Sequence, residues 1–374
     1  MTHRPHMMTM TRRQISFMVA MLGLVKSDMI GSRASSALAA SPLTLTEQTN
    51  TQHVDLFPFL GSGGRAGFFD REGRIIIKPQ YGLVSTTTRY FSEGLAAISV
   101  DSKAGFIDST GNVAIELIYN AASKFSDERA AVMIGDKWGY IDHDGTLVIA
   151  AQFETRGSSM FPASDFSEGL ASVQVDYDQF GYIDKSGTIV IDPVYRQAAD
   201  FSEGLAAVQD ARTKNWGYID PGGTMMIKPQ FSGGVGPFTN GRAWVSPKDS
   251  DDFGCINPGG DVVIEPRFIK GWPFSEGLAA VLPSSGLMAL GYVDTEGKMA
   301  ISPQFSKAYN FSEGLAAVSH DEKLGYIDAS GEMVIEPQFT YAYEFSDGVA
   351  LIALDGKWGL VDKDGKVVLV EEEA

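Results

Sequence analysis

At 374 residues, with 44% hydrophobic and 21% charged side chains, the chain has the composition of a folded globular protein. A net charge of −17 argues against nucleic-acid phosphates and anionic membranes as partners and leaves cationic, neutral or sugar-like ones, or serves only to keep the chain soluble. A single cysteine, Cys255, excludes an internal disulfide and a thiolate metal site.

The first element is a leader. Thr11-Arg12-Arg13-Gln14-Ile15-Ser16-Phe17 is a twin-arginine pattern, an apolar run follows to Val25, and Ala37-Leu38-Ala39 is a small-x-small cleavage site. Basic start, short apolar middle and small-residue end define a secretory signal over 1–39. The arginine pair points to the route that exports folded proteins. Lys26, Asp28 and Arg33 make the end of the leader long and polar, which keeps a Sec-type signal and an uncleaved anchor open. The apolar run is shorter than the roughly 20 residues that span a bilayer, and no other segment qualifies, so no stable membrane span is expected in the mature chain. The mature chain is expected to be periplasmic or extracellular. Residues 40–54 read as a linker and 371–374 as an acidic tail.

From 55 to 370 the chain repeats itself. A glycine followed by an aromatic, an aliphatic and Asp recurs at Gly67, Gly105, Gly139, Gly181, Gly217, Gly254, Gly291, Gly325 and Gly359, with Cys255 and Leu360 as departures at the aromatic place, Phe69 at the aliphatic place and Asn257 at the Asp. A period in the thirties marks a tandem array. In one copy, Gly325-Tyr326-Ile327-Asp328 reads as a strand and Asp328-Ala329-Ser330-Gly331 as a tight turn. There the Asp accepts from the turn's own amides and the Gly tolerates positive φ. Met333 to Ile335 returns as a strand that Pro337 is expected to end. An aromatic follows the motif glycine at a fixed offset of 14, as at Tyr81, Phe231 and Phe305, which suggests a plug for a defined hole. Then Phe-Ser-Glu-Gly-Leu-Ala recurs intact at 91–96, 166–171, 201–206, 274–279 and 311–316, a turn leading into a third strand, Leu-Ala-Ala-Val.

Lys137-Trp138-Gly139-Tyr140-Ile141-Asp142, Asn215-Trp216-Gly217-Tyr218-Ile219-Asp220 and Lys357-Trp358-Gly359 resemble the WG-containing repeat family, and the resemblance extends over about 55–370. Trp precedes Gly in only these three copies; Ala66, Ala104, Phe180, Phe253, Leu290 and Leu324 stand there in the others, so the place is an apolar packing position. What the resemblance implies is a bacterial-type repeat scaffold for binding, with no established reaction.

The fold expected is all-β: about nine three-stranded meanders. Their strands are apolar on both faces and must be covered on both faces, so each sheet stacks on its neighbours. Propellers usually have 4–8 blades of four strands, and the last copy breaks off after Val367-Val368-Leu369-Val370. The preferred arrangement is therefore an open, twisted solenoid, with a closed propeller-like ring as the alternative.

Several features bear on function. The offset from plug aromatic to the next Phe is six in most copies, ten from Tyr81 to Phe91 and thirteen from Phe153 to Phe166. Insertions in repeats often bind, which nominates Arg156, Met160, Phe161 and Asp165 as a contact loop. Trp244 and Trp272 lie outside the usual Trp place and are the candidates for exposed aromatics that meet sugar rings or peptides. Glu93, Glu168, Glu203, Glu276 and Glu313 occupy equivalent places and form either a carboxylate ladder or solvated turn positions. Asp142-His143-Asp144-Gly145 and Asp362-Lys363-Asp364-Gly365 are too poor in oxygen ligands for a calcium loop. No catalytic residues, cofactor or metal are expected: His143 and His320 lie in different copies, and no phosphate loop or ligand cluster is present. Cys255 takes a place usually held by Tyr or Phe and reads as a buried small apolar residue. The leading expectation is a non-catalytic scaffold for a protein or carbohydrate partner. A glycan-active enzyme using carboxylates from different repeats and a structural spacer are the alternatives.

Overall fold

The structure, a computed structural model, describes residues 55–370 apart from 62, 83–90, 155–162, 249, 287 and 320. Residues 53–374 form one compact unit. Every regular element in the described residues is a strand.

Each of the nine units contains the expected meander. In the eighth, Leu315–Ser319 (the alanine strand) pairs with Leu324–Asp328 (the motif strand), which pairs with Met333–Phe339 (the rim strand). A fourth strand, unforeseen from sequence, precedes the alanine strand. Lys307–Ser312, the lead strand, is the stretch between the previous plug aromatic and Phe-Ser-Glu-Gly. Tyr341–Ala342 and Ala121–Ala122 do the same in their units. Rim strand and next lead strand are nearly continuous. Ile189–Ala198 pairs with one unit through Tyr195 and with the next through Gln197 and Ala198. Nine units are thus joined in seven hydrogen-bonded sheets, two of them six-stranded.

Both turns form for the reasons their residues suggest. Asp328 Oδ1 accepts from the Ser330 and Glu332 amides, and Gly331 donates its N–H to the Asp328 carbonyl. In Ser312-Glu313-Gly314-Leu315 the two central residues have φ of 53° and 87°, the pattern of a two-residue hairpin that matches strand twist. The proline does not end the rim strand. The ladder shifts register between Leu324/Tyr326 and Tyr326/Ile327, and the strand carries Pro337 through this bulge to Phe339. Here the motif glycine is required: a Cβ on Gly67 would lie 2.7 Å from the Ile77 carbonyl oxygen. The plug aromatics Tyr81, Phe231 and Phe305 are buried, as the fixed offset predicted.

The solenoid expectation is overturned: the array closes into a propeller-like ring. Each turn glycine packs on the rim-strand Ile of the preceding unit, Gly111 on Ile77 and so on round to Gly365 on Ile335. In the first unit Gly73 meets Val368 and Leu369 of the ninth. Phe59 and Phe69 share a buried cluster with Leu351, Leu360 and Val370. Closure removes two exposed apolar sheet faces that an open stack leaves in water. The rule that both faces must be covered also fails at the rim, where Val113, Val190, Met226, Val262 and Val334 are exposed. The opposite border is drawn together. Ser92, Ser126, Ser167, Ser202, Ser275 and Ser312 each donate to the carbonyl of the next unit's lead-strand Phe at 2.7–2.8 Å. Sheets arranged as wedges about an axis approach most closely at their inner edge, so the lead strands form that edge.

The first unit lacks a lead strand among the described residues. Phe57, Pro58 and Phe59 stand where the eighth unit has Ala316, Ala317 and Val318. The two rings add bulk beside the ninth unit, and Pro58 marks an edge strand. Arg71 spans the seam: its guanidinium donates to Asp55 at 2.8 and 3.0 Å and to the Asp347 carbonyl at 2.9 Å.

Candidate functional site

The five repeated glutamates neither stand free nor form a bare ladder. Glu93 accepts from the Glu128 amide, Glu168 from Gly204, Glu203 from Asn240 and Gly241, Glu276 from Glu313 and Gly314, and Glu313 from Gly348, at 2.7–3.3 Å. Asp127 and Asn240 do the same for Gly169 and Gly277. Each hairpin therefore holds the next by charge-assisted or amide hydrogen bonds. His143 is likewise engaged, stacked on Phe125 at 4.3 Å with Nε2 3.1 Å from Glu93. Among the described residues no three His, Cys, Asp or Glu converge on a metal position.

A second set of bonds crosses from unit to unit in the interior. The hydroxyls of Tyr140, Tyr182, Tyr218, Tyr292 and Tyr326 donate to the carbonyls of Ser164, Ala199, Gly236, Tyr309 and Tyr343 in the segment that leads into the following unit's hairpin turn, at 2.7–2.8 Å. Burial pushes the hydroxyls of Tyr140, Tyr182, Tyr218 and Tyr292 far above their ordinary ionisation range. Cys255 is buried, as its place suggested, and burial drives its thiol upward too.

Trp244 is a correction. A candidate for an exposed aromatic, it is instead 4% exposed, facing Cys255 across the hairpin and stacked parallel on Phe274. Its Nε1–H donates to the Trp272 carbonyl at 2.6 Å, the bond that tyrosine makes elsewhere. Trp272 itself is half-buried, with Lys270 Nζ 4.8 Å above its ring. Of the nominated contact loop, Arg156, Met160 and Phe161 lie outside the described residues, and Asp165 is half-buried just before Phe166, outside any strand. Among the described residues the structure brings Trp244 and Trp272 together through the indole-to-carbonyl bond, as packing partners across two units and not as two exposed rings.

What sequence reasoning missed is an asymmetry along the inner edge. Two residues before the lead-strand Phe, units three to six carry Ser123, Ser164, Ala199 and Gly236, whereas units seven to nine carry Trp272, Tyr309 and Tyr343. All three aromatics are half-buried, packed by one side against the interface with the following unit. Tyr341 continues the row, 55% exposed and stacked on Trp358 at 5.8 Å; Tyr343 lies 6.4 Å from the same indole. Counting back from the Phe that opens each of these turns, Phe-Ser-Glu-Gly or its variants such as Phe345-Ser346-Asp347-Gly348, exposes this signal in the sequence.

A cleft of about 450 Å³ lies between Gln230 and Phe231 of unit five and Lys248, Cys255 and Pro266 of unit six. It is open and largely apolar, with Lys248 as its charged group.

Comparison with known proteins bears on the repeat and the fold. A sequence profile of the WG containing repeat matches residues 67–103, 105–138, 138–177, 180–210, 216–249, 253–282, 291–323 and 325–358. No curated protein matches the chain. A crystal structure of the eukaryotic initiation factor is 14% identical, covers 85% of this chain and 95% of its own, and superposes with a TM-score of 0.60. BamB from Moraxella catarrhalis (13% identity, 85% and 96% covered, TM-score 0.37) and apo AztD from Citrobacter koseri (13%, 75% and 95%, 0.36) superpose too loosely to bear on the fold.

Proposed function

This chain belongs to the WG containing repeat family, and from that premise we propose that it is an exported, non-catalytic scaffold that binds a protein or glycan partner in the cell envelope or outside the cell. The observation that carries this reading is where the repeated polar groups go. The hairpin carboxylates and the buried tyrosine hydroxyls hold one unit to the next. Variation is left to the inner edge and the inserts, as in other repeat scaffolds, whose regular residues build the frame and whose irregular ones recognise. A glycan-active enzyme needs two acids facing each other across a cleft, roughly 5–9.5 Å apart; the repeated glutamates already accept backbone amides. Export rests on the leader at 1–39. Among the described residues no helix is long and apolar enough to cross a membrane.

The test is capture. The purified mature chain, immobilised, is exposed to envelope extract and to a glycan array. A saturable partner, with no turnover of the bound glycan, supports the scaffold. Nothing above background in both arms sinks it, and release of shortened sugars moves the protein to the enzyme class.

A further inference from the structure

We propose that Trp272, Tyr309 and Tyr343 form a stacking platform for a neutral, extended glycan along the inner edge of units seven to nine. This rests on the scaffold reading and names its ligand.

Position comes first. The three residues hold the same register place in three consecutive units, so the ring's own repeat spaces them evenly. A polymer of identical sugars meets such an evenly spaced row in step. Tyr309 packs against the cluster that holds Ala342 and Phe345, the residues on either side of Tyr343 in the ninth unit's lead segment. Rigidity comes second. Each backbone carbonyl is clamped by a buried donor of the preceding unit: Trp244 Nε1 on Trp272, Tyr292 on Tyr309 and Tyr326 on Tyr343. A platform held this way loses little freedom when a ligand settles on it. Polar neighbours come third. Lys270, whose Nζ lies 4.8 Å over the Trp272 ring, offers a donor at that ring, and Lys307 stands two places before Tyr309 on the same strand, on the same side of the sheet.

Charge selects against an acidic polymer. The chain carries −17, and the ring of hairpin carboxylates follows the same edge. Lys307–Ser312 and Tyr341–Ala342 are edge strands, so a peptide added as a further strand is the competing outcome, which the extract arm of the experiment reports.

The experiment uses the full ring with cellohexaose, chitohexaose and maltohexaose as probes, read by tryptophan fluorescence and calorimetry. At least one hexaose is expected to bind, and Trp272→Ala/Tyr309→Ala/Tyr343→Ala to weaken it roughly tenfold or more. Tyr177→Ala, at an exposed site elsewhere, is expected to leave binding unchanged. The Phe variants at Tyr309 and Tyr343 keep the rings and are expected to keep most binding, which separates stacking from misfolding. If no hexaose binds, or the triple Ala variant binds as well as the parent, the platform is overturned. If no hexaose binds while a protein is still captured from extract, the glycan assignment fails and the scaffold stands; if both arms are blank, both fail.

Discussion

In unit seven, Tyr292 faces Ala280 across the hairpin and donates its hydroxyl to the Tyr309 carbonyl at 2.7 Å; in unit six, Cys255 faces Trp244, whose indole donates to the Trp272 carbonyl at 2.6 Å. The large ring has changed strands, yet the donor reaches the same place in the next unit. A third change accompanies the swap: Gly271 stands where the next lead strand has Ala308, and a Cβ there would collide with the indole of Trp244. What each interface requires is a buried donor at one spot and a ring's volume behind it. Residue identity is free as long as neighbours compensate.

The broadest way to separate the two solutions is alkaline pH. Tyr140, Tyr182, Tyr218 and Tyr292 ionise far above 10.0 in the fold and near 10.0 when unfolded, so their contribution is complete below pH 10 and is lost as pH rises beyond it. Each then removes about 1.4 kcal/mol per pH unit, while the Trp244 indole does not titrate there. Denaturant midpoints from pH 8 to 11.5 should fall steeply above 10; a flat profile contradicts the burial of these hydroxyls.

Trp244→Ala removes both volume and donor, and should cost about 3–5 kcal/mol, measurable by urea unfolding. Cys255→Tyr alone overpacks a site that Trp244 already fills and should cost about 1–3 kcal/mol. Joined to Trp244→Ala and Gly271→Ala it rebuilds the unit-seven arrangement and should recover much of both losses. Strict additivity in that cycle would show that the two residues do not share one place. Tyr292→Phe keeps the ring and leaves the Tyr309 carbonyl unsatisfied, a loss of about 1–3 kcal/mol.

The smallest effect is expected at the surface turns, where unit six again supplies the comparison: Asn257 Oδ1 accepts from the Asp261 amide as Asp328 accepts from Glu332. Asp328→Asn should barely move the melting temperature at pH 7. The Asp328 carboxyl is held below its usual range by hydrogen bonds from the Ser330 hydroxyl and the turn amides. Its contribution is therefore present at neutral pH and lost as pH falls through its folded value. The Asn variant should show a shallower acid limb in a pH–melting series.

Local features were legible because they are decided within a few residues. Asp328 and Gly331 announce a turn, Glu313-Gly314 a hairpin, and the offset to Phe339 a buried plug. Cys255 was read correctly, since its place in the repeat is normally buried. Trp244 was misread for a related reason. It fills a place that holds Ala in most other units, and only the loss of tyrosine eleven residues later creates the hole it enters. The aromatic row of units seven to nine was present in the letters but invisible until lead strands were seen to line one edge.

From its residues alone this chain determined the unit: turn chemistry, strand order and the apolar faces that force neighbours together are short-range consequences of side-chain type and period. The tertiary structure decided how many neighbours each end has. Gly73 against Leu369, and Arg71 against Asp347, are contacts across nearly the whole array, with no periodic signature. Ring or solenoid depends on the small angle between successive sheets, which is set by the summed packing of many side chains and only takes effect when the first unit meets the last.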